Sequence, residues 1–404
     1  MYSLLLAIIY IAFISLGLPD SLVGSAWPVM HEDLGVPVSY AGIVTMIIAA
    51  GTIVSSLQSD RLTKKFGTGL VTATSVGMTA VALVGFSYSH SFIALCLWAI
   101  PYGLGAGAVD AALNNYVALH YAARHMSWLH CFWGVGASIS PFIMGYSING
   151  GFGWSNGYWV VGLLQIVLAA ALFASLPLWK KNLGARAGAA ERAGADEADS
   201  SEPQHTAPLP LARAVRIPGV PHIMLAFLAY CAVESTIILW ASTYLVSGRG
   251  VDTATAARFA SLFLLGITLG RLLSGFIADR FGDKQMIRMG SAIACFGIVL
   301  VALPMEADVV ALAGLVIAGF GCAPIYPAII HSTPANFGRE NSQAIIGIQM
   351  ASAYMGSTLM PPLFGFLAAR TDITLFPFYV AIFAVLMVAM TESLNRTVRA
   401  GAAN

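Results

Sequence analysis

Hydrophobic residues occur along this chain in long runs separated by short polar breaks. Most runs reach about 20 residues, the length that an α-helix needs to cross a bilayer. Six runs come first, near residues 3–30, 38–58, 68–87, 91–120, 126–148 and 157–179. Six more follow, near residues 219–246, 252–276, 286–304, 308–330, 340–368 and 374–395. The pattern predicts an all-α membrane protein whose twelve transmembrane helices form two pseudo-symmetric six-helix bundles.

A segment of different composition separates the two sets of runs. It is rich in Ala, Gly, Pro, Ser and charged residues, and such a composition cannot bury a hydrophobic core. We therefore predict an N-terminal bundle over residues 1–179, a disordered linker over 180–217 and a C-terminal bundle over 218–404.

The overall composition agrees with a membrane protein. Hydrophobic residues make up 58% of the chain and charged residues 10%, whereas soluble domains carry about 25% charged residues. The net charge of +1 gives no reason to expect a nucleic-acid partner. The five cysteines lie inside apolar runs without metal-ligand spacing, so we expect neither a metal nor a cofactor.

Basic residues are concentrated on one side of the predicted membrane. Loops after odd-numbered spans contain only Arg249, Arg258 and Arg370, whereas loops after even-numbered spans and the C-terminal tail contain most other Lys and Arg residues. The positive-inside rule then predicts that both termini and the linker are cytoplasmic. The first run contains Asp20 and continues to Met30, and we interpret it as a retained first span rather than a signal peptide. The predicted location is the cytoplasmic (inner) membrane.

A short charged segment recurs after spans 2 and 8. Asp60 and Arg61 form the first copy, and Asp279 and Arg280 form the second. A duplicated helical membrane protein is typical of solute transporters built from internal repeats. The alternative is a plain cytoplasmic loop with no role beyond topology.

This arrangement of spans, linker and repeated Asp-Arg segment resembles the major facilitator superfamily over the whole chain. The resemblance implies a monomeric carrier that works by alternating access, with spans 1, 4, 7 and 10 lining a central cavity. It also implies that Asp60, Arg61, Asp279 and Arg280 are gating residues. We predict that Arg271, near the inner end of span 8, joins this network. His130 in span 5 is expected to serve in gating or packing, with a proton relay as the alternative.

Three carboxylates lie well inside predicted spans: Asp20, Asp110 and Glu234. A charged side chain at mid-bilayer costs about 2.5–3.5 kcal/mol even on insertion scales. Each acid must therefore face a polar cavity, find a partner or carry a proton, which suits a site that couples transport to protons. The alternative is that each acid only makes a hydrogen bond in helix packing.

Other polar and aromatic residues share helix faces with these acids. Asn114 lies four residues after Asp110, and Tyr230 lies four residues before Glu234. Carboxylate, amide and flat rings together suit a polyhydroxylated solute. The candidate ligands are Asp20, Asn114, Tyr230, Trp240, Tyr326 and Gln349. The alternatives are an interfacial or packing role for the aromatic residues and an interhelical hydrogen bond for Asn114.

Three segments carry a closer resemblance. Residues Gly105–Asn114, Leu129–Ala137 and Tyr230–Glu234 are similar to spans 4, 5 and 7 of the fucose:galactose:proton symporters and related carriers. The resemblance implies that Asp110 is the proton carrier and that Asp20 is a substrate ligand or a second titrating site.

Drug efflux by proton antiport is the main alternative within this fold. Such carriers usually have an arginine where Ile100 stands, and a Gly where Ser140 precedes Pro141. The sequence shows no phosphate-binding loop and no nucleophile motif, so we do not expect an enzyme. Paired gating segments argue against a channel. The sequence favours an importer of a small neutral polar solute, best matched by a monosaccharide, that moves its substrate with a proton.

Overall fold

The computed structural model describes residues 2–179, 207–305 and 308–402. Helices make up 90% of the described residues, which contain no strand. The first half of the chain forms α1 (Tyr2–Asp20), α2 (Leu22–Asp33), α3 (Ala41–Phe66), α4 (Thr68–Ser87), α5 (Phe92–His120), α6 (Ala123–Asn149) and α7 (Gly153–Ala174). The second half forms α8 (Val220–Thr243), α9 (Thr253–Phe281), α10 (Asp283–Ala302), α11 (Asp308–Cys322), α12 (Ile325–His331), α13 (Thr333–Phe337), α14 (Arg339–Arg370) and α15 (Phe376–Ala402).

Eleven segments of the described chain are long and apolar enough to cross a membrane. The helix α14 has 32 residues and completes the predicted set of twelve, although it is more polar. Its polar side chains Ser342, Gln343 and Gln349 are buried inside the protein. The all-α, twelve-helix fold is therefore confirmed.

Two helices continue further than the sequence pattern predicted. The helix α3 runs to Phe66 rather than ending near residue 58, and α9 runs to Phe281 rather than near 276. Asp60, Arg61, Asp279 and Arg280 consequently lie within the ends of helices and not in loops. Basic side chains near a helix C-terminus interact favourably with the helix dipole, and both helices end at a glycine with positive φ, Gly67 and Gly282.

One predicted span is broken where a proline cannot continue the hydrogen-bond pattern. The span near residues 308–330 divides into α11 and α12 at Pro324, which has no N–H to donate. The hydroxyl of Tyr230 donates to the backbone carbonyl of Cys322 at 3.1 Å. This bond satisfies a carbonyl beside the break, as the bilayer interior requires of backbone polar groups.

The chain forms two compact units that do not follow the two halves of the sequence. Unit 1 contains the described parts of Met1–Tyr116 and Phe132–Leu209, together with Arg339–Gly347. Unit 2 contains Val117–Cys131 and the described parts of Pro210–Gly338 and Ile348–Asn404. Each unit thus includes a short segment from the other half of the sequence.

Polar pairs hold the start of α14 within unit 1. The Ser342 hydroxyl donates to the Asn115 side-chain carbonyl at 2.6 Å, and the Gln343 amide donates to the Ser59 hydroxyl at 3.2 Å. These contacts help to explain why the polar first part of α14 is nevertheless buried. Most of the predicted linker, residues 180–206, lies outside the described residues, so the predicted domain boundaries stay a prediction.

Candidate functional site

A carboxylate in unit 1 combines solvent exposure with a position at the end of an apolar helix. Asp20 is the last residue of α1, and its side chain is exposed. The indole N–H of Trp133 donates to its carboxylate at 2.9 Å. The side chain of Tyr102, a buried residue on α5, lies within electrostatic reach of Asp20. The carboxylate is therefore oriented by the indole donor while it stays accessible.

A second carboxylate lies nearby in the same unit. Asp110 on α5 is buried, and the amide of Asn114, one turn later, donates to its carboxylate at 2.8 Å. The charge of Asp110 acts on Asp20, so the two acids are within electrostatic reach. The structure thus brings together three predicted residues, Asp20, Asp110 and Asn114. We call them, with Tyr102 and Trp133, the acid cluster.

Close helix packing creates the acid cluster. A Cβ atom on Gly17 would collide with the backbone carbonyl of Trp133, so only glycine allows α1 and α6 to approach closely here. That approach brings the Trp133 indole to Asp20 at the next turn of α1. Tyr102 precedes Asp110 by eight residues, about two helical turns, which places both on one face of α5.

A different cluster forms around Glu234 in unit 2. The guanidinium of Arg271 pairs with Glu234 at 3.2 Å and lies over the ring of Tyr326, 5.8 Å from its centroid. The ring of His130 packs edge-on against the same tyrosine with centroids 4.7 Å apart. We call Glu234, Arg271, Tyr326 and His130 the ion-pair cluster.

The structure gives Arg271 a partner that the sequence did not indicate. The arginine is buried and pairs with Glu234. The reason is energetic, because a buried guanidinium and a largely buried carboxylate each need a counter-charge. Its assignment to a gating network stays a prediction, as does that of His130.

Three other predicted ligands make contacts that hold helices together in unit 2. Tyr230 is fully buried and its hydroxyl binds the Cys322 carbonyl. The indole of Trp240 donates to the carbonyl of Pro361 at 2.9 Å. Gln349 is fully buried in a mutual hydrogen bond with Thr333 at 2.9 Å. The contacts of these three residues support a role in helix packing, and their role as substrate ligands stays a prediction.

The two Asp-Arg segments have different local structures. Asp60 is buried, pairs with Lys64 at 2.9 Å, and accepts the backbone N–H of Leu209 at 3.0 Å. Arg61 is exposed beside Gln58. Lys64 can pair with Asp60 because α3 continues for one more turn, and this continuation was not predicted.

In the second segment, Asp279 accepts the backbone N–H of Arg124 at 3.1 Å and pairs with its guanidinium at 3.3 Å. Arg280 is exposed and lies over the ring of Phe281. The contact with Arg124 joins the start of α6 to the end of α9 within unit 2. Arg124 was not predicted as a partner, because its position after an even-numbered span indicated only topology.

A histidine near this segment was also missed. One ring nitrogen of His331 lies 2.7 Å from the Asp283 carboxylate, and the other lies 3.1 Å from the backbone carbonyl of Tyr121. Both partners are acceptors, so a His331 that carries a proton on each nitrogen satisfies both. The residues are far apart in sequence, and no local spacing predicts this contact.

Among the described residues, no group of three or more His, Cys, Asp or Glu is placed to hold a metal ion. The acid cluster offers an accessible acceptor that is held by an indole donor, with a second acid within electrostatic reach.

Comparison with known proteins decides the family. The sequence matches the family model described as Major Facilitator Superfamily over residues 9–304 and 258–398. The chain belongs to the Major Facilitator Superfamily. It is therefore a multi-pass membrane transporter and not an enzyme.

Curated relatives are distant and carry different names. A yeast protein, Bypass of stop codon protein 6 of Saccharomyces cerevisiae, is 24% identical over 68% of this chain and 57% of its own length. The chain thus spans little more than half of that relative. The 4-hydroxybenzoate transporter PcaK of Pseudomonas aeruginosa is 24% identical over 85% of this chain and 83% of its own.

Solved structures show the same fold. The proton:xylose symporter XylE matches with a TM-score of 0.77 at 12% identity, over 97% of this chain and 95% of that one. FucP in its outward conformation matches with a TM-score of 0.77 at 15% identity, over 96% and 97%. At such identities the likeness supports the superfamily fold and carries no information on the substrate.

Proposed function

We propose that this transporter imports a small neutral polar solute, best matched by a monosaccharide, together with a proton. The observation that carries the proposal is the Asp20 carboxylate, which is accessible yet held by the indole of Trp133. A carboxylate accepts hydrogen bonds from hydroxyl groups, and flat rings offer an apolar surface beside it. This combination suits a ligand with several hydroxyls and a less polar face.

The proton is assigned to the second acid of the cluster. Asp110 is buried, and the side-chain amide of Asn114 donates a hydrogen bond to it. The amide can donate to the carboxyl group in both its charged and its protonated form. Two negative charges within reach of each other repel, and one proton on the pair relieves this repulsion. We place the transported proton on Asp110, with Glu234 as the second choice and Asp20 as substrate ligand.

Orientation and gating complete the proposal. The basic segments around Lys64 and Arg124 are assigned to the cytoplasmic side by the positive-inside rule, with both termini on that side. Contacts such as Arg124–Asp279 then form and break during alternating access. The carrier is proposed to work as a monomer in the cytoplasmic membrane.

An uptake screen in proteoliposomes tests the proposal. Purified protein is reconstituted, and labelled monosaccharides, polyols and aromatic acids are offered with and without an inward proton gradient. We expect accumulation of a neutral hydroxylated solute that stops when an ionophore collapses the gradient. Uptake that ignores the gradient for every transported solute would refute proton symport. Drug resistance in a sensitised host without any uptake would support the efflux alternative instead.

An organic anion is a second candidate substrate, and one observation favours it. Arg271 places a guanidinium in the interior of unit 2, next to Tyr326 and His130. A relative is also named as a transporter of 4-hydroxybenzoate. Glu234 neutralises this arginine in the structure, so we rank the anion second. Uptake of an aromatic acid that is lost in Arg271→Gln but not in Asp20→Asn would reverse the ranking.

A further inference from the structure

A groove on unit 1 is lined by none of the residues of the acid cluster. It has a volume of about 500 Å³, within the range of small-molecule sites, which is about 300–1,000 Å³. The helices α3 and α4 form its sides, and Leu104 and Ala108 of α5 contribute to its lining. Every fourth residue of α3 lines it, which gives the stripe Val54, Gln58, Leu62 and Phe66.

The groove is apolar, and several of its side chains are exposed. Val54 is 53% exposed, Phe66 49% and Leu70 36%. These positions lie in helices that are long and apolar enough to cross a membrane, and their exposed apolar side chains are open to contact with lipid. A mostly apolar groove that follows α3 from Val54 to Phe66 is suited to an extended hydrocarbon chain.

Two cations lie at the end of the groove, each against a residue that lines it. The ammonium of Lys65 lies 5.1 Å from the centroid of the Phe66 ring. The guanidinium of Arg61 donates to the side-chain oxygen of Gln58 at 3.4 Å. Lys64 is engaged with Asp60, whereas no carboxylate pairs with Arg61 or Lys65 among the described residues.

We propose that this groove binds one anionic phospholipid, with an acyl chain along the α3–α4 groove and its phosphate at Arg61 and Lys65. The charge pattern selects this occupant, because a neutral hydrocarbon gains nothing from two unpaired cations at the end of the groove. Basic residues next to a membrane span attract anionic headgroups on the cytoplasmic leaflet. The lipid would contact the end of α3, immediately beside Asp60.

Photo-crosslinking in nanodiscs tests the site. Two probes carry the same diazirine-labelled acyl chain, one on phosphatidylglycerol and one on phosphatidylcholine, each as a minor component of a zwitterionic bilayer. Cross-linked peptides are mapped by mass spectrometry. We expect the anionic probe to label α3 and α4 more strongly, by about fivefold for each basic residue.

Two kinds of variant separate the headgroup from the chain. Lys65→Gln should reduce the preference for phosphatidylglycerol about fivefold, whereas Arg396→Gln, an exposed basic residue on α15, should leave it unchanged. Thr74→Phe adds a ring at an exposed position that lines the groove, and it should reduce labelling by both probes. Equal labelling by the two probes in the wild type would overturn the proposal. So would a preference that survives Lys65→Gln combined with Arg61→Gln.

Discussion

Replacing Glu234 by glutamine should destabilise unit 2 more than replacing its partner Arg271 by methionine. The Arg271 side chain is 4% exposed and that of Glu234 is 15% exposed. Removal of Glu234 leaves a buried guanidinium that cannot lose its proton. Removal of Arg271 leaves a more accessible carboxyl group, which can bind water or take up a proton.

The magnitudes follow from the cost of an unpaired buried charge. Breaking a buried ion pair by removing one partner costs about 3–5 kcal/mol of unfolding free energy. We expect Glu234→Gln to approach this range and Arg271→Met to cost less. The double variant should recover much of the loss, since no uncompensated charge remains. The exposed pair Arg288–Glu392 serves as the matched control, and its disruption should lower the stability much less than Glu234→Gln does, because water screens exposed charges.

Thermal unfolding of the purified protein measures these differences. Cys231 and Cys322 are buried in unit 2, so a thiol-reactive fluorophore reports their exposure on heating. The expected order of melting temperatures is wild type, double variant, Arg271→Met and Glu234→Gln, from highest to lowest. The reasoning would be refuted if Glu234→Gln melted no lower than Glu392→Gln, or if the double variant were the least stable.

Three further predictions concern single contacts. Trp133→Phe keeps an aromatic ring but removes the N–H that donates to the Asp20 carboxylate, a bond worth about 1.5–3 kcal/mol. The apparent affinity for the solute, measured by counterflow, should therefore fall at least about tenfold. Trp154→Phe removes a similar bond outside the acid cluster, and it should leave this affinity unchanged. His331→Gln can no longer donate to both acceptors, so its melting temperature should lie furthest below wild type near about pH 6 and approach it as the pH rises. Arg124→Asp should slow transport, and the double variant that combines it with Asp279→Arg should restore the transport rate.

Each of these predictions has a defined contradiction. Equal affinity loss in the two tryptophan variants would show that the effect is not specific to the acid cluster. A melting-temperature difference for His331→Gln that is constant with pH would contradict a doubly protonated imidazole. If the double variant transported more slowly than either single variant, the Arg124–Asp279 ion pair itself would have no part in transport.

Periodicity along the chain was sufficient to predict the helices and one local pair. Runs of apolar residues report length and hydrophobicity directly, and Asp110 with Asn114 follows from a spacing of four residues. The repeated Asp-Arg segments were recognisable because each follows an apolar run. The ends of α3 and α9 were not predicted, because the charged residues that suggested a loop also stabilise a helix terminus.

Contacts between helices distant in sequence could not be predicted in this way. Nothing in the sequence near Arg271 indicates Glu234, and nothing near Asp20 indicates which face of α6 meets it. Gly17 was the available signal, since small residues mark close helix approach, but it does not name the partner. The segments Val117–Cys131 and Arg339–Gly347 each belong to the unit formed mainly by the other half of the sequence. This assignment follows from tertiary packing, which no sequence pattern indicated.

The central claim is that Asp110 carries the proton that drives accumulation, and Asp110→Asn in proteoliposomes tests it most directly. The amide is similar in size and cannot be ionised, so solute exchange down its own gradient should continue. Accumulation driven by an imposed proton gradient should disappear. An Asp110→Asn protein that still concentrates its solute under that gradient would contradict the account and transfer the role to another acid.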